Sequence, residues 1–172
     1  KMPVSLPLSW TERNVYFGVY PSTSQGEIWQ RTRIATAASM ATFFGEFDVK
    51  DYGSKEAILA HLESLPLYPS AVIDSGGGFH CYWLLEHPVL LTDENRDYMR
   101  RLLYAWVDVV GSDKAAKDIS RVLRLPGSYN RKPERGPNFP EVRIVEFDAR
   151  RTFPLERIEE NAGHLASAQQ ER

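Results

Sequence analysis

Between Phe43 and Pro126 six patterned segments follow one another as strand, helix, strand, strand, helix, strand, and few folds accept that order. Phe43 to Val49 is rich in aromatic and β-branched residues and reads as a strand, while the Ala-rich stretch 35–42 before it suits helix or strand equally. Ser54 is placed to cap a helix over 54–65, in which Ile58, Leu59, Leu62 and Leu65 recur at helical spacing and Pro66 ends the run. Ser70 to Asp74 and Phe79 to Leu85 are apolar, β-prone runs around Ser75, Gly76, Gly77 and Gly78, a hairpin signal with a glycine turn. Thr92 caps a longer helix with a stripe of Tyr98, Leu102, Leu103, Trp106, Val107 and Val110; Gly111 closes it, and Arg96, Arg100 and Arg101 turn to water. Arg121 to Pro126 and Val142 to Phe147 are the last strands, and Asn14 to Tyr20 is an earlier one.

This is the split βαβ pattern of ferredoxin-like and RNA-recognition-like sheets. Right-handed crossovers place its first and third strands side by side at the centre and the fourth beside the first. Both helices then cover one face and leave the other open. The expected class is α/β (α+β), an RNA-recognition-like sheet with a smaller N-terminal αβ half.

At 172 residues, with 42% hydrophobic and 26% charged, the chain is long enough for a real core and short enough for one domain. A lone cysteine, Cys81, allows neither an internal disulfide nor a cysteine-based zinc site, so any metal must be held by oxygen or histidine. No apolar run approaches the roughly 20 residues that span a bilayer, which predicts a cytoplasmic protein with no membrane partner. Twenty-one basic against 23 acidic residues exclude coating of nucleic acid by bulk positive charge. The balance is uneven, because from Lys114 to Arg135 seven basic residues stand against two acids. Such a local surplus suits a nucleotide or a nucleic-acid backbone.

Strand alternation puts Glu46 and Asp48 on one face of the first strand, and His80 with Tyr82 on the corresponding face of the third. Asp118, Arg121 and Arg124 stand in or just before the flanking strand and are expected to approach the same patch. Alone, an acid pair on a strand is usually a solvated face, and a glycine triplet is usually only a turn. Together they mean more, since like charges on a central strand cost stability unless a cation or basic group offsets them. Hard divalent cations prefer carboxylate oxygens, and two of them can hold an attacking hydroxyl and a leaving phosphate in line. A triphosphate needs backbone N–H, imidazole and guanidinium donors, which Gly76, Gly77, Gly78, His80, Arg121 and Arg124 can supply.

The segments FFGEFDVKDY, SGGGFHCYW and DISRVLRLPGSYNRK together resemble the three motifs of the archaeo-eukaryotic primase superfamily, in its RepB-like primase-polymerase branch. The resemblance runs roughly from Trp10 to Phe147 and includes NVYFGVYP upstream. It implies a primase core that copies a DNA template from dNTPs or NTPs with Mg2+ or Mn2+ in a two-metal site. The metal-binding acids carry over to Glu46, Asp48 and Asp118, and the triphosphate contacts to Ser75 and His80. Arg121, Arg124, Asn130 and Lys132 follow in the third segment. A catalytic domain over 1–155 and a tail or linker helix over 156–172 toward a further domain are expected. Implied partners are single-stranded template and primer, with a helicase or an accessory helical priming domain in a longer chain.

The chain departs from relatives in having Glu46 where aspartate is common, and it lacks the cysteines of the zinc element found in some of them, so no zinc is expected. Primer extension is therefore a firmer expectation than unaided priming. Another class of reading is a non-catalytic module that stacks bases on sheet aromatics such as Tyr82. It accounts for the fold but not for carboxylates on the binding face. A rolling-circle nuclease would need two histidines around one apolar residue, and FHCYW has one.

Overall fold

In the computed structural model of the chain, residues 7–23, 33–116 and 118–168 are described. Along them run α1 (Leu8–Thr11), β1 (Tyr16–Gly18), β2 (Ser39–Asp48), α2 (Val49–Tyr52), α3 (Lys55–Ser64), β3 (Ala71–Asp74), β4 (Gly78–Leu90), α4 (Arg96–Val109), β5 (Val122–Arg124), β6 (Arg143–Phe147), β7 (Thr152–Phe153) and α5 (Leu155–Ala168). The ambiguous Ala-rich stretch resolves into a short 3-10 turn at Ile34–Thr36 and the start of β2. Ser54 caps α3 as expected, accepting the Ala57 N–H at 3.1 Å. The longer helix begins later than predicted: Asn95 is its N-cap, and Thr92 contributes its carbonyl to the Arg96 N–H at 3.0 Å.

The main sheet has the order β2-β4-β3-β6, all antiparallel, with β7 parallel beside β4. β2 and β4 pair with Phe43 opposite Trp83, Glu46 opposite His80 and Asp48 opposite Gly78. One side of this pair carries Phe43, Phe47, Cys81 and Trp83, all buried under α3 and α4. The Trp106 ring of α4 meets Trp83 edge-on at 5.1 Å and Phe43 at 6.1 Å. Each such ring contributes roughly 1.5–3 kcal/mol by leaving water. α5 docks against α4 and also touches β4, burying Ile158 and Ala162.

Three expectations need correction. The strand β5 does not lie beside β2; it pairs with β1 in a separate two-stranded ribbon. The edge of β2 is closed instead by the turn after α4. There the Ser112 hydroxyl accepts the Glu46 N–H at 2.8 Å and donates to the Glu46 carbonyl at 3.1 Å, and the Asp113 N–H reaches the same carbonyl at 2.8 Å. Gly45 permits the approach, since a Cβ there would stand 3.2 Å from the Ser112 Cβ. The second face of the sheet is likewise not open. Phe44 and Tyr82 lie on it and are covered by Tyr20 and Phe17, with ring centroids 6.1 and 6.4 Å apart. Two large aromatic rings left in water would forfeit several kcal/mol, and the β1–β5 ribbon removes that cost. Arg96 also departs from its expected place in water: it is half-buried and donates to the Ile34 and Ala37 carbonyls at 3.0 and 2.7 Å. Arg100 and Arg101 do face outward, where both pair with Asp97.

Ser112 thus replaces a strand neighbour with one side chain. Ser112→Ala strands the Glu46 N–H at a nearly dry edge and should lower stability by about 1–3 kcal/mol in denaturant titration. An unchanged midpoint would mean that the β2 edge does not depend on this hydroxyl.

Candidate active site

Where β2 and β4 emerge from beneath the ribbon, a polar cleft of about 450 Å3, counted with its open mouth, is walled by Glu46, Asp48, Ser75, Gly77, His80, Asp113, Arg124, Asn130, Lys132 and Arg135. Phe47 and Phe79 complete its floor. Three sequence segments meet here as expected: the acid pair, the glycine turn and the basic segment.

The glycine turn is built by its surroundings. Gly76 takes φ +82°, which favours glycine, and a Cβ there would also collide with Pro140 at 2.6 Å. Gly78 faces Asp48 so closely that a Cβ would lie 1.9 Å from the Phe47 carbonyl oxygen. Asp74 anchors the turn, accepting the Gly76 N–H at 2.8 Å and pairing with Lys55 at 2.6 Å. That backbone donor is therefore already used, and the expected row of bare N–H groups is shorter than the sequence suggested. Asn130, buried, donates from Nδ2 to the Ser75 carbonyl at 2.8 Å and accepts the Lys132 N–H at 3.3 Å. It braces the turn against the basic segment.

Glu46 is half-buried and receives the Arg121 Nε–H at 2.5 Å. Its other oxygen stands 3.9 Å from His80 Nε2. This second contact is not an ion pair, because burial, and then the Arg124 and Arg121 guanidinium charges, hold the His80 imidazole down at about 3. His80 is neutral at ordinary pH, only 5% exposed, and its buried Nδ1 has no hydrogen-bond partner. Arg124, 8% exposed, gives Nη2 to the Tyr16 hydroxyl at 3.1 Å with its guanidinium 5.2 Å from that ring's centre, while its buried Nε has no partner. Asp48 spends one oxygen on the Lys50 N–H at 3.0 Å, capping α2.

Asp118 is not brought to the cleft. It is exposed, and its carboxylate is turned onto the Ser120 N–H at 2.8 Å and the Ser120 hydroxyl at 2.6 Å. Arg121 is likewise drawn to Glu46 rather than to the cleft wall. Asp113 and Arg135 line the cleft although neither was singled out as a site residue. Asp113 follows a helix end with nothing in its neighbourhood to mark it, whereas Arg135 stood within the basic surplus. Lys117, part of that surplus, lies outside the described residues.

Among the described residues, no three His, Cys, Asp or Glu side chains stand together as a ready cation cage. Nor is any helix long and apolar enough to cross a membrane.

Residues 27–165 match the family model of the RepB DNA-primase N-terminal domain, and the chain belongs to that family. It is 31% identical over 107 residues to a replication protein of Clostridium perfringens, an alignment covering 58% of this chain and 26% of the relative, so the chain spans about a quarter of that protein's length. The fold is that of the primase-polymerase domains. The chain resembles the archaeo-eukaryotic primase domain of the cyanophage S-2L primase-polymerase, with a TM-score of 0.60 at 21% identity over 87% of this chain and 70% of that one. A crystal structure of primase RepB′ matches with a TM-score of 0.52 at 17% identity over 78% of this chain and 43% of that one.

The buried imidazole has a thermodynamic consequence. In the unfolded chain His80 takes up a proton near 6.5, but in the folded chain only near 3, so between those values the unfolded state binds more protons. Stability is full above about pH 6.5 and falls with acidification, by about 2 kcal/mol at pH 5 from this group alone. With a chelator present, the Tm of the wild type should drop between pH 7 and 5 more than that of His80→Gln. Parallel losses would assign the acid sensitivity to other groups.

Proposed function

We propose that this domain transfers nucleotidyl groups from dNTPs or NTPs to a primer 3′-hydroxyl on a single-stranded DNA template, as a primase-polymerase. One observation carries the reading. Two nine-tenths-buried side chains, His80 and Arg124, each with a buried polar atom that has no hydrogen-bond partner, line a cleft that also holds the carboxylates of Glu46 and Asp48. Buried polar atoms without partners cost free energy, and a ligand rich in acceptor oxygens would offset that cost for a donor such as the Arg124 Nε–H.

The donor set suits Mg2+ or Mn2+. These ions take oxygen ligands, and Mg2+ is commonly held by one or two carboxylates with water and substrate phosphates completing the shell. Glu46 and Asp48 would hold them, and Asp113 in the cleft wall is a further carboxylate within the same cavity. Asp118, the third acid that the family resemblance implies, would have to leave Ser120 to join. Bound there, the ions would neutralise charge on the leaving pyrophosphate and favour the attacking alkoxide. Neutral His80 can donate one hydrogen bond to a phosphate oxygen without a protonation step, and Arg124 supplies a fixed charge. Arg121 orients the Glu46 carboxylate through its Nε–H. Ser75 and Asn130 hold the turn that faces the phosphates, and Lys132 adds charge at the exposed rim.

The test is incorporation of labelled dNTPs and NTPs on primed and unprimed single-stranded templates with Mg2+ or Mn2+. Asp48→Asn is the variant of choice over alanine, because asparagine keeps the cap on α2 while removing the charge. It should lower incorporation by roughly 10²-fold or more with little change in Tm. Full activity in this variant would sink the assignment of the acid pair, and template binding without incorporation by the wild type would favour a non-catalytic relative.

A further inference from the structure

The middle glycine of the turn, Gly77, has no conformational reason to be glycine, since its φ lies outside the left-handed region. What fills its missing side chain is Arg135. A Cβ at position 77 would stand 2.7 Å from Arg135 Nη2, 3.4 Å from Cζ and 3.8 Å from Nε. The guanidinium is held there by its loop. The Arg135 N–H bonds the Lys132 carbonyl at 2.8 Å, the Asn130 N–H bonds the Pro140 carbonyl at 2.9 Å, and Pro140 presses on Gly76. The Arg131 guanidinium, 4.8 Å from the centre of the Phe139 ring, ties down the far side of the same loop.

Arg135 is half-buried, lines the cleft and has a buried Nε without a hydrogen-bond partner. Among the described residues no carboxylate pairs with it, although Glu134 is its immediate neighbour and instead faces Lys132 at 3.9 Å. A half-buried guanidinium with no carboxylate to neutralise it is a binding group for a planar or tetrahedral oxyanion. We propose that Arg135, admitted to the cleft by the gap at Gly77, binds the polyphosphate tail of the incoming nucleotide. This rests on the nucleotide reading above and assigns the glycine and the arginine one joint role: the first makes room and the second makes the contact.

The pair can be tested because alanine at 77 meets only the far end of a flexible side chain, so it should displace the guanidinium without unfolding the turn. Equilibrium binding of a dNTP, of inorganic pyrophosphate and of the corresponding dNMP is measured in the presence of Mg2+ for the wild type, Arg135→Ala, Gly77→Ala and the double variant, with Tm as the control. Arg135→Ala and Gly77→Ala should each weaken dNTP and pyrophosphate binding by about tenfold or more and leave the dNMP nearly unaffected. The double variant should be no worse than Arg135→Ala alone. Unchanged triphosphate binding in Arg135→Ala, or additive losses in the double variant, would overturn the proposal. A wild type that binds no triphosphate would instead remove the nucleotide reading of the cleft and this inference with it. Binding that survives in a chain without incorporation would retire the polymerase activity and keep the arginine's role.

Discussion

The register of β2 against β4 is the constraint from which the rest of the molecule follows. Because side chains alternate, pairing Phe43 with Trp83 forces Glu46 to pair with His80 and Asp48 with Gly78. A slip of one residue would drive Glu46 and Asp48 into the layer now filled by Phe47, Trp83 and Trp106, where an unpaired carboxylate is far costlier than any loss of cleft geometry. The core therefore places the site. Gly78 locks the same register from the other end, since the Phe47 carbonyl oxygen occupies the space that any larger residue would need.

Charge in the cleft is sorted rather than balanced. Glu46 has a guanidinium of its own in Arg121, whereas Arg124 is held by a hydroxyl and an aromatic ring and Arg135 by packing. Pairing every cation with a carboxylate would have been the cheaper arrangement for an isolated protein, because buried charges without partners raise the free energy of the fold. Leaving two guanidinium groups without carboxylates keeps their charge available to a ligand. The low-dielectric surroundings that depress the His80 imidazole also strengthen every such contact once water is displaced.

Much of this was legible in the sequence. The strand and helix order, the cap at Ser54, the hairpin at the glycines and the shared face of Glu46, Asp48 and His80 all followed from local patterns, because periodicity and turn chemistry act within a few residues. Pairings between distant short segments were not. β5 has three residues and no alternation strong enough to declare whether it lies beside β2 or β1. The choice was made by Ser112, whose hydroxyl fills the β2 edge, and a serine after a helix-closing glycine carries no such message. Asp118 illustrates the same limit at the site, because a motif position gives an acid its place in the chain but not its rotamer. Here the Ser120 N–H and hydroxyl compete successfully for it.

The ribbon of β1 and β5 decides how a nucleic acid could approach. In an RNA-recognition-like sheet with a bare face, bases stack on exposed aromatics. In this chain the corresponding aromatic, Tyr82, is 9% exposed beneath Phe17, and Phe44 lies fully buried beside Tyr20. Peeling off the ribbon to uncover them would give up the burial of both rings and of Leu123, a cost no single stacked base repays at about 1–3 kcal/mol. The same ribbon supplies Arg124 from β5 and its aromatic support, Tyr16, from β1. The element that closes the sheet to stacking is thus the one that furnishes the cleft with charge.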